Sequence, residues 1–120
     1  MTSTNKQLCV FGTFHVQPDK VDEWKAVHRQ IWTPVGSEKQ CVLFDVFESQ
    51  DEPGLIRLVE IWDCDREWFE NVQMKKPYYS LLWDKSQPLW TQPVKLEYFE
   101  RAGEGSIFRD AYLAGAAKKD

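Results

Sequence analysis

The sequence predicts an α+β fold, and three observations carry that prediction. Residues 7–17, QLCVFGTFHVQ, are rich in β-branched and aromatic side chains and read as a strand covered on both faces. Residues 19–32, DKVDEWKAVHRQIW, repeat apolar side chains at helical spacing. Two further strand segments, 40–48 and 55–63, flank the turn SQDEPG and read as an antiparallel hairpin.

In the first strand Cys9, Phe11, Thr13 and His15 share one face, and Leu8, Val10, Gly12, Phe14 and Val16 share the other. Pro18 and Asp19 break it, with Asp19 placed to cap the helix that follows. Val21, Trp24, His28 and Ile31 form the inward stripe of that helix, while Lys20, Glu23, Arg29 and Gln30 lie opposite. The run Thr33-Pro34-Val35-Gly36 is expected to end it, because proline disfavours helical geometry in the residue before it and glycine suits the exit. In the third strand Ile56, Leu58, Glu60 and Trp62 share a face, with Leu55, Arg57, Val59 and Ile61 on the other.

A second helix is expected over 64–76, capped by Asp63 or Asp65, with Trp68, Asn71, Val72 and Lys75 along one stripe and Phe69 and Gln73 beside it. Pro77 interrupts it, and 78–85 continue as a short helical piece. Residues 86–93 read as a loop and 94–102 as a fourth strand. The order is β-α-β-β-α-β, the split βαβ or ferredoxin-like arrangement, with helices on one face of an antiparallel sheet. The strands are nevertheless apolar on both faces, and an uncovered apolar sheet face marks an interface. A homodimer paired through its sheets is therefore expected. Residues 1–6 are expected to be a flexible N-terminus. Residues 7–102 form the domain, and 103–120 a tail that packs on a partner or stays mobile.

Composition narrows the function. Charged residues make up 28% of the 120, with 15 basic against 19 acidic, and no basic stripe suggests nucleic acid. No apolar run has the length of a membrane span, and MTSTNKQ lacks the apolar core of a secretion signal. Cys9, Cys41 and Cys64 are odd in number without metal-ligand spacing, and read as reduced thiols of a cytoplasmic protein with no metal site. Six tryptophans exceed what a small core needs, so some belong to a pocket or an interface.

The segments VQPDKVDEW (16–24), EKQCVLFDV (38–46) and VEIWDCDREWFENV (59–72), in this order and spacing, resemble the antibiotic biosynthesis monooxygenase domain of the dimeric α+β barrel superfamily. The likeness spans about residues 7–100. It implies a sheet-to-sheet dimer forming a barrel, with a pocket in each subunit between sheet and helices. Members include cofactor-free monooxygenases of aromatic polyketides and quinols, and others that degrade haem. Many carry a histidine on the second helix where this chain has Asn71, which argues against haem degradation.

The candidate catalytic residues are His28, Glu60 and Asn71. His28 is the preferred base, since imidazole titrates near neutrality. Glu60 is either a pocket base or the partner of Arg57 or Lys95. Asn71, like Gln73, would orient a substrate carbonyl. Trp24, Trp62, Trp68, Tyr78 and Tyr79 are the candidates for binding a flat aromatic substrate, one tyrosine donating to a developing oxyanion. The expected activity is a cofactor-independent monooxygenase of secondary metabolism, using O2 on an aromatic, polyketide-type compound. Two alternatives stand beside it: a non-redox cyclase, isomerase or dehydratase using the same pocket, and a non-enzymatic dimeric binding protein.

Overall fold

A computed structural model describes residues 7–116. Its elements are β1 (Leu8–Val16), α1 (Val21–Gly36), β2 (Cys41–Glu48), β3 (Leu55–Trp62), α2 (Arg66–Asn71), α3 (Pro77–Ser86), β4 (Trp90–Glu100) and α4 (Ala111–Ala116). All strand pairs are antiparallel, in the order β2-β3-β1-β4. This is the ferredoxin-like arrangement the sequence predicts, with β1 and β3 central. The expected N-terminal segment 1–6 lies outside the described residues, as do 117–120.

The strand alternation read from the sequence holds. Leu8, Val10, Phe14, Val16, Ile56, Leu58 and Trp62 are buried toward the helices. Phe11, Val59, Ile61 and Phe99 lie on the opposite, open face, where the Phe11 and Phe99 rings meet edge to face at 5.3 Å. At the β2–β3 turn Gly54 sits at φ 89°, and a Cβ there would stand 2.1 Å from the Val16 carbonyl oxygen. Only glycine fits that turn. Its own carbonyl accepts from the Val16 N–H at 2.8 Å, tying the turn to the end of β1.

Four element readings are corrected. Asp19 does not cap α1; it sits in a 3₁₀ turn, Pro18–Lys20, and the helix begins without a side-chain cap. Helix α1 passes through Pro34 and ends at Gly36. Proline forfeits one backbone bond there, a small loss in a last turn that buries Val35. The second helical region divides into α2, a 3₁₀ turn at Gln73–Lys75, and α3. The inward residues are Phe69 and Gln73, four apart, while Asn71, Val72 and Lys75 are exposed. Strand β4 begins at Trp90, within the expected loop. It tolerates Pro93 because it is an edge strand with register shifts opposite Thr13–Val16.

Asp65 caps α2, its carboxylate accepting from the Trp68 N–H at 2.8 Å. The tail carries one short exposed helix, α4. The Tyr112 hydroxyl donates to the Asp45 carboxylate on β2.

Buried side chains form two clusters. One gathers around Trp62, Phe69 and Tyr79, the other around Phe14, Trp24 and Ile56. No helix among the described residues is long and apolar enough to cross a membrane.

Candidate active site

A cavity lies between the sheet and the helices, lined by members of both clusters. Its walls are mostly apolar: Val10, Phe14, Leu58, Phe69, Trp83 and neighbours. Three titratable side chains join them, Glu60, His28 and Tyr79. Its volume is about 30 Å³. Gly12 forms part of its wall, and a methyl there would meet Leu96 at 3.5 Å, an ordinary contact. Glycine therefore leaves open space that alanine would fill without a clash.

Glu60 reaches the cavity by strand parity, facing the same way as Leu58 and Trp62. The two salt-bridge partners expected for it are ruled out by the sheet. Arg57 lies on the other face and donates to Thr13 Oγ1, and Lys95 pairs with Glu97. Its hydrogen-bond partner is instead the Trp62 indole, whose Nε1–H donates to Glu60 Oε1 at 3.0 Å. Glu60 retains some accessible area, but protein surrounds it. Burial raises its pKa from 4.5 to about 7, and the Trp62 bond only partly offsets this by favouring the carboxylate. The group is poised to exchange a proton near neutral pH.

His28 points inward as expected, but its environment suits a base poorly. It is 1% exposed and stacks on Trp24 at 3.9 Å, with Phe14 edge-on at 5.1 Å. Burial holds its pKa down at about 3. Its Nε2 lies 2.7 Å from Ser86 Oγ, which also accepts from the Trp90 Nε1–H at 2.8 Å. The Ser86 hydroxyl can accept from or donate to Nε2, so this contact orients the ring in either neutral tautomer. Nδ1 has no hydrogen-bond partner among the described residues. His28 is thus a neutral, oriented group in the wall.

Tyr79 lines the cavity, and burial raises its pKa well above that of a free phenol. Gln73, 0% exposed, uses one amide nitrogen to donate to both tyrosines, to Tyr79 at 3.1 Å and to Tyr78 at 2.8 Å. The Tyr78 hydroxyl donates in turn to Glu38 at 2.6 Å, and Glu38 meets Lys76 at 3.5 Å. This chain fixes the tyrosine pair, and burial keeps both phenols protonated against the Gln73 N–H bonds, which favour the phenolate.

The structure brings together His28, Glu60 and Tyr79 from the expected set. Asn71 is exposed and does not line the cavity; Gln73, two residues on, is the buried amide. Trp24 and Trp62 are fully buried behind the wall, the first positioning His28 and the second Glu60. Trp68 packs at the edge of the core, and Tyr78 sits behind Tyr79. Ser86 and Glu38 were not among the candidates. They lie 58 and 40 residues from their partners, and no local pattern marks either contact. Cys41 and Cys64 have thiol pKa values pushed up to about 11, by burial first, and are poor nucleophiles. No group of three metal-ligating side chains occurs among the described residues.

The ferredoxin-like sheet thus carries an apolar cavity with three titratable side chains in its wall. The antibiotic biosynthesis monooxygenase family model matches residues 8–73, and the chain belongs to that family. It is 30% identical over 86 residues to a candidate monooxygenase of Pestalotiopsis microspora, covering 72% of each chain. Among solved structures it is similar to Rv0793 of Mycobacterium tuberculosis, with a TM-score of 0.72 and 25% identity over 83% of this chain and 99% of that one. It also shares the fold of a candidate antibiotic biosynthesis monooxygenase from Caulobacter crescentus. There the TM-score is 0.74 and the identity 19%, over 82% and 92% of the two chains.

Proposed function

We propose that the protein is a cofactor-independent, monooxygenase-like enzyme acting on a small hydroxylated aromatic compound of the polyketide type. The observation that carries this reading is Glu60, a carboxyl held near neutrality inside an apolar cavity by burial and one indole hydrogen bond. Family membership supports the same class of reaction.

The Glu60 carboxylate takes a proton from a phenol or from carbon beside a carbonyl. The resulting anion is electron-rich and passes one electron to O2. Radical and superoxide combine to a peroxide anion at carbon, and Glu60 returns its proton to the distal oxygen to give the hydroperoxide. Loss of water then leaves a new C=O. In sum a CH2 group and O2 become C=O and H2O, so no external reductant is needed. The apolar wall keeps water from the anion, and the Tyr79 hydroxyl stands in the same wall as a donor to developing negative charge.

An oxygen electrode tests this with naphthols, hydroquinones and anthrones as a panel. One O2 consumed per product is expected. Turnover without oxygen consumption overturns the redox step and leaves a cyclase or isomerase.

Homodimerisation belongs to the same reading. Pairing two open sheet faces would cover Phe11, Val59, Ile61 and Phe99. Sedimentation at about twice the 14.1 kDa chain mass is expected, and a monomer at micromolar concentration contradicts it.

A further inference from the structure

The central cavity of about 30 Å³ is too small for the substrate class just proposed. A cavity that takes a benzene ring measures about 150 Å³, whereas one of about 10–15 Å³ suffices for a water. At this volume the site holds water or O2 and excludes an aromatic ring. Beside it, between α1 and α3, lies a surface cleft of about 140 Å³. Ile31 and Leu82 line both spaces. Sharing both linings, these two apolar side chains stand where the two spaces adjoin.

We propose that the cleft and the cavity are two halves of one ligand site, joined when the Ile31 and Leu82 side chains move aside. This rests on the cavity being the reaction site. The summed volume, about 170 Å³, reaches the size a ring requires.

The cleft's own lining defines the ligand. Leu81 is 67% exposed there, an apolar lip for one ring face, and Tyr78 stands beside it. Lys85 lies on the rim with no ion-pair partner among the described residues. The ligand is therefore a hydroxylated aromatic with an anionic group at the far end. The hydroxyl points inward toward Glu60, and the anion outward to Lys85. The cleft is on the helical side of the molecule, away from the open sheet face. It stays accessible if two copies pair through their sheets.

Two probes separate the contributions, 6-hydroxy-2-naphthoate and 2-naphthol, which differ by the carboxylate alone. Binding is read by tryptophan fluorescence and association rates by stopped flow. Lys85→Met is expected to raise the Kd of the naphthoate about 3–5-fold, as for a solvated ion pair, and leave 2-naphthol within about twofold. Leu82→Ala is expected to raise association rates of both probes about fivefold or more. If that variant does not fold, Ile31→Val carries the rate measurement, and the surface Lys85→Met carries the affinity measurement.

Equal effects of Lys85→Met on both probes, unchanged association rates, or no binding of either probe at millimolar concentration overturn the proposal. Oxygen uptake separates this from the reading it rests on. If binding behaves as expected but no oxygen is consumed, the two-part site stands and the redox step falls. Oxygen uptake insensitive to Leu82 and Lys85 has the opposite meaning.

Discussion

Glu60→Gln is expected to lower kcat/KM by about 10²–10⁴-fold, the usual contribution of a positioned general base. The substitution keeps the side chain's size and an oxygen to accept the Trp62 N–H, so the wall is preserved while the proton acceptor is lost. In the wild type, kcat/KM should rise about tenfold per pH unit at acid pH and level off above about pH 7, where Glu60 is ionised. The variant's residual rate should lack that limb. His28 offers the contrast. Its pKa of about 3 leaves it unprotonated across the assay range, and its basicity is too low to compete with Glu60 at neutrality. His28→Asn is expected to lose at most about tenfold and to keep the limb near pH 7. A limb that survives Glu60→Gln but vanishes in His28→Asn would transfer the role of base to His28.

The fold was legible because its determinants are local. Period-two alternation in β1 and β3 and the stripe Trp24, His28, Ile31 fixed which faces are buried, and the element order then left few topologies. Part of the site was legible for the same reason. Parity alone puts Glu60 with Leu58 and Trp62 and sets Arg57 on the other side. That Lys95 also faces away required the β1–β4 register, where it stands opposite Thr13 on the open face.

The proposal of Glu60 in place of His28 as base rests on environment. Imidazole and carboxyl have ordinary pKa values that favour histidine at neutral pH, but burial moves the two in opposite directions. How deeply each is buried depends on Trp24, Phe14 and Ser86 closing around His28, and Ser86 comes from the far end of α3. The exposed position of Asn71 has a different origin. Helix α2 turns Phe69 inward and Gln73 follows four residues on, so the buried stripe runs one position round from the one read through Trp68 and Asn71. Gln73 therefore reaches the core, and Asn71, on the side of α2 away from Phe69, lies at the surface.

The same burial that tunes Glu60 should weaken the folded state at high pH, and Glu60→Gln should remove the penalty. The sign follows from linkage. Below about pH 4.5 the carboxyl is protonated in both folded and unfolded chains and makes no difference. Between about 4.5 and 7 the unfolded chain releases the proton while the folded chain retains it, so stability falls as pH rises. Above about 7 the full penalty, about 3 kcal/mol, is in place. His28 acts with the opposite sign, since its folded pKa is depressed and acid favours the unfolded chain, but it is present in both proteins and cancels in their difference. Urea titrations of wild type and Glu60→Gln at pH 4 and pH 8, at one protein concentration so that any association contributes equally, should show the variant gaining about 3 kcal/mol relative to wild type at the higher pH. An equal gap at both pH values would mean that Glu60 titrates as a solvated carboxyl, removing the basis for its role as base. A variant that loses activity and gains stability at alkaline pH would identify Glu60 as a residue kept for its proton, at the expense of the fold.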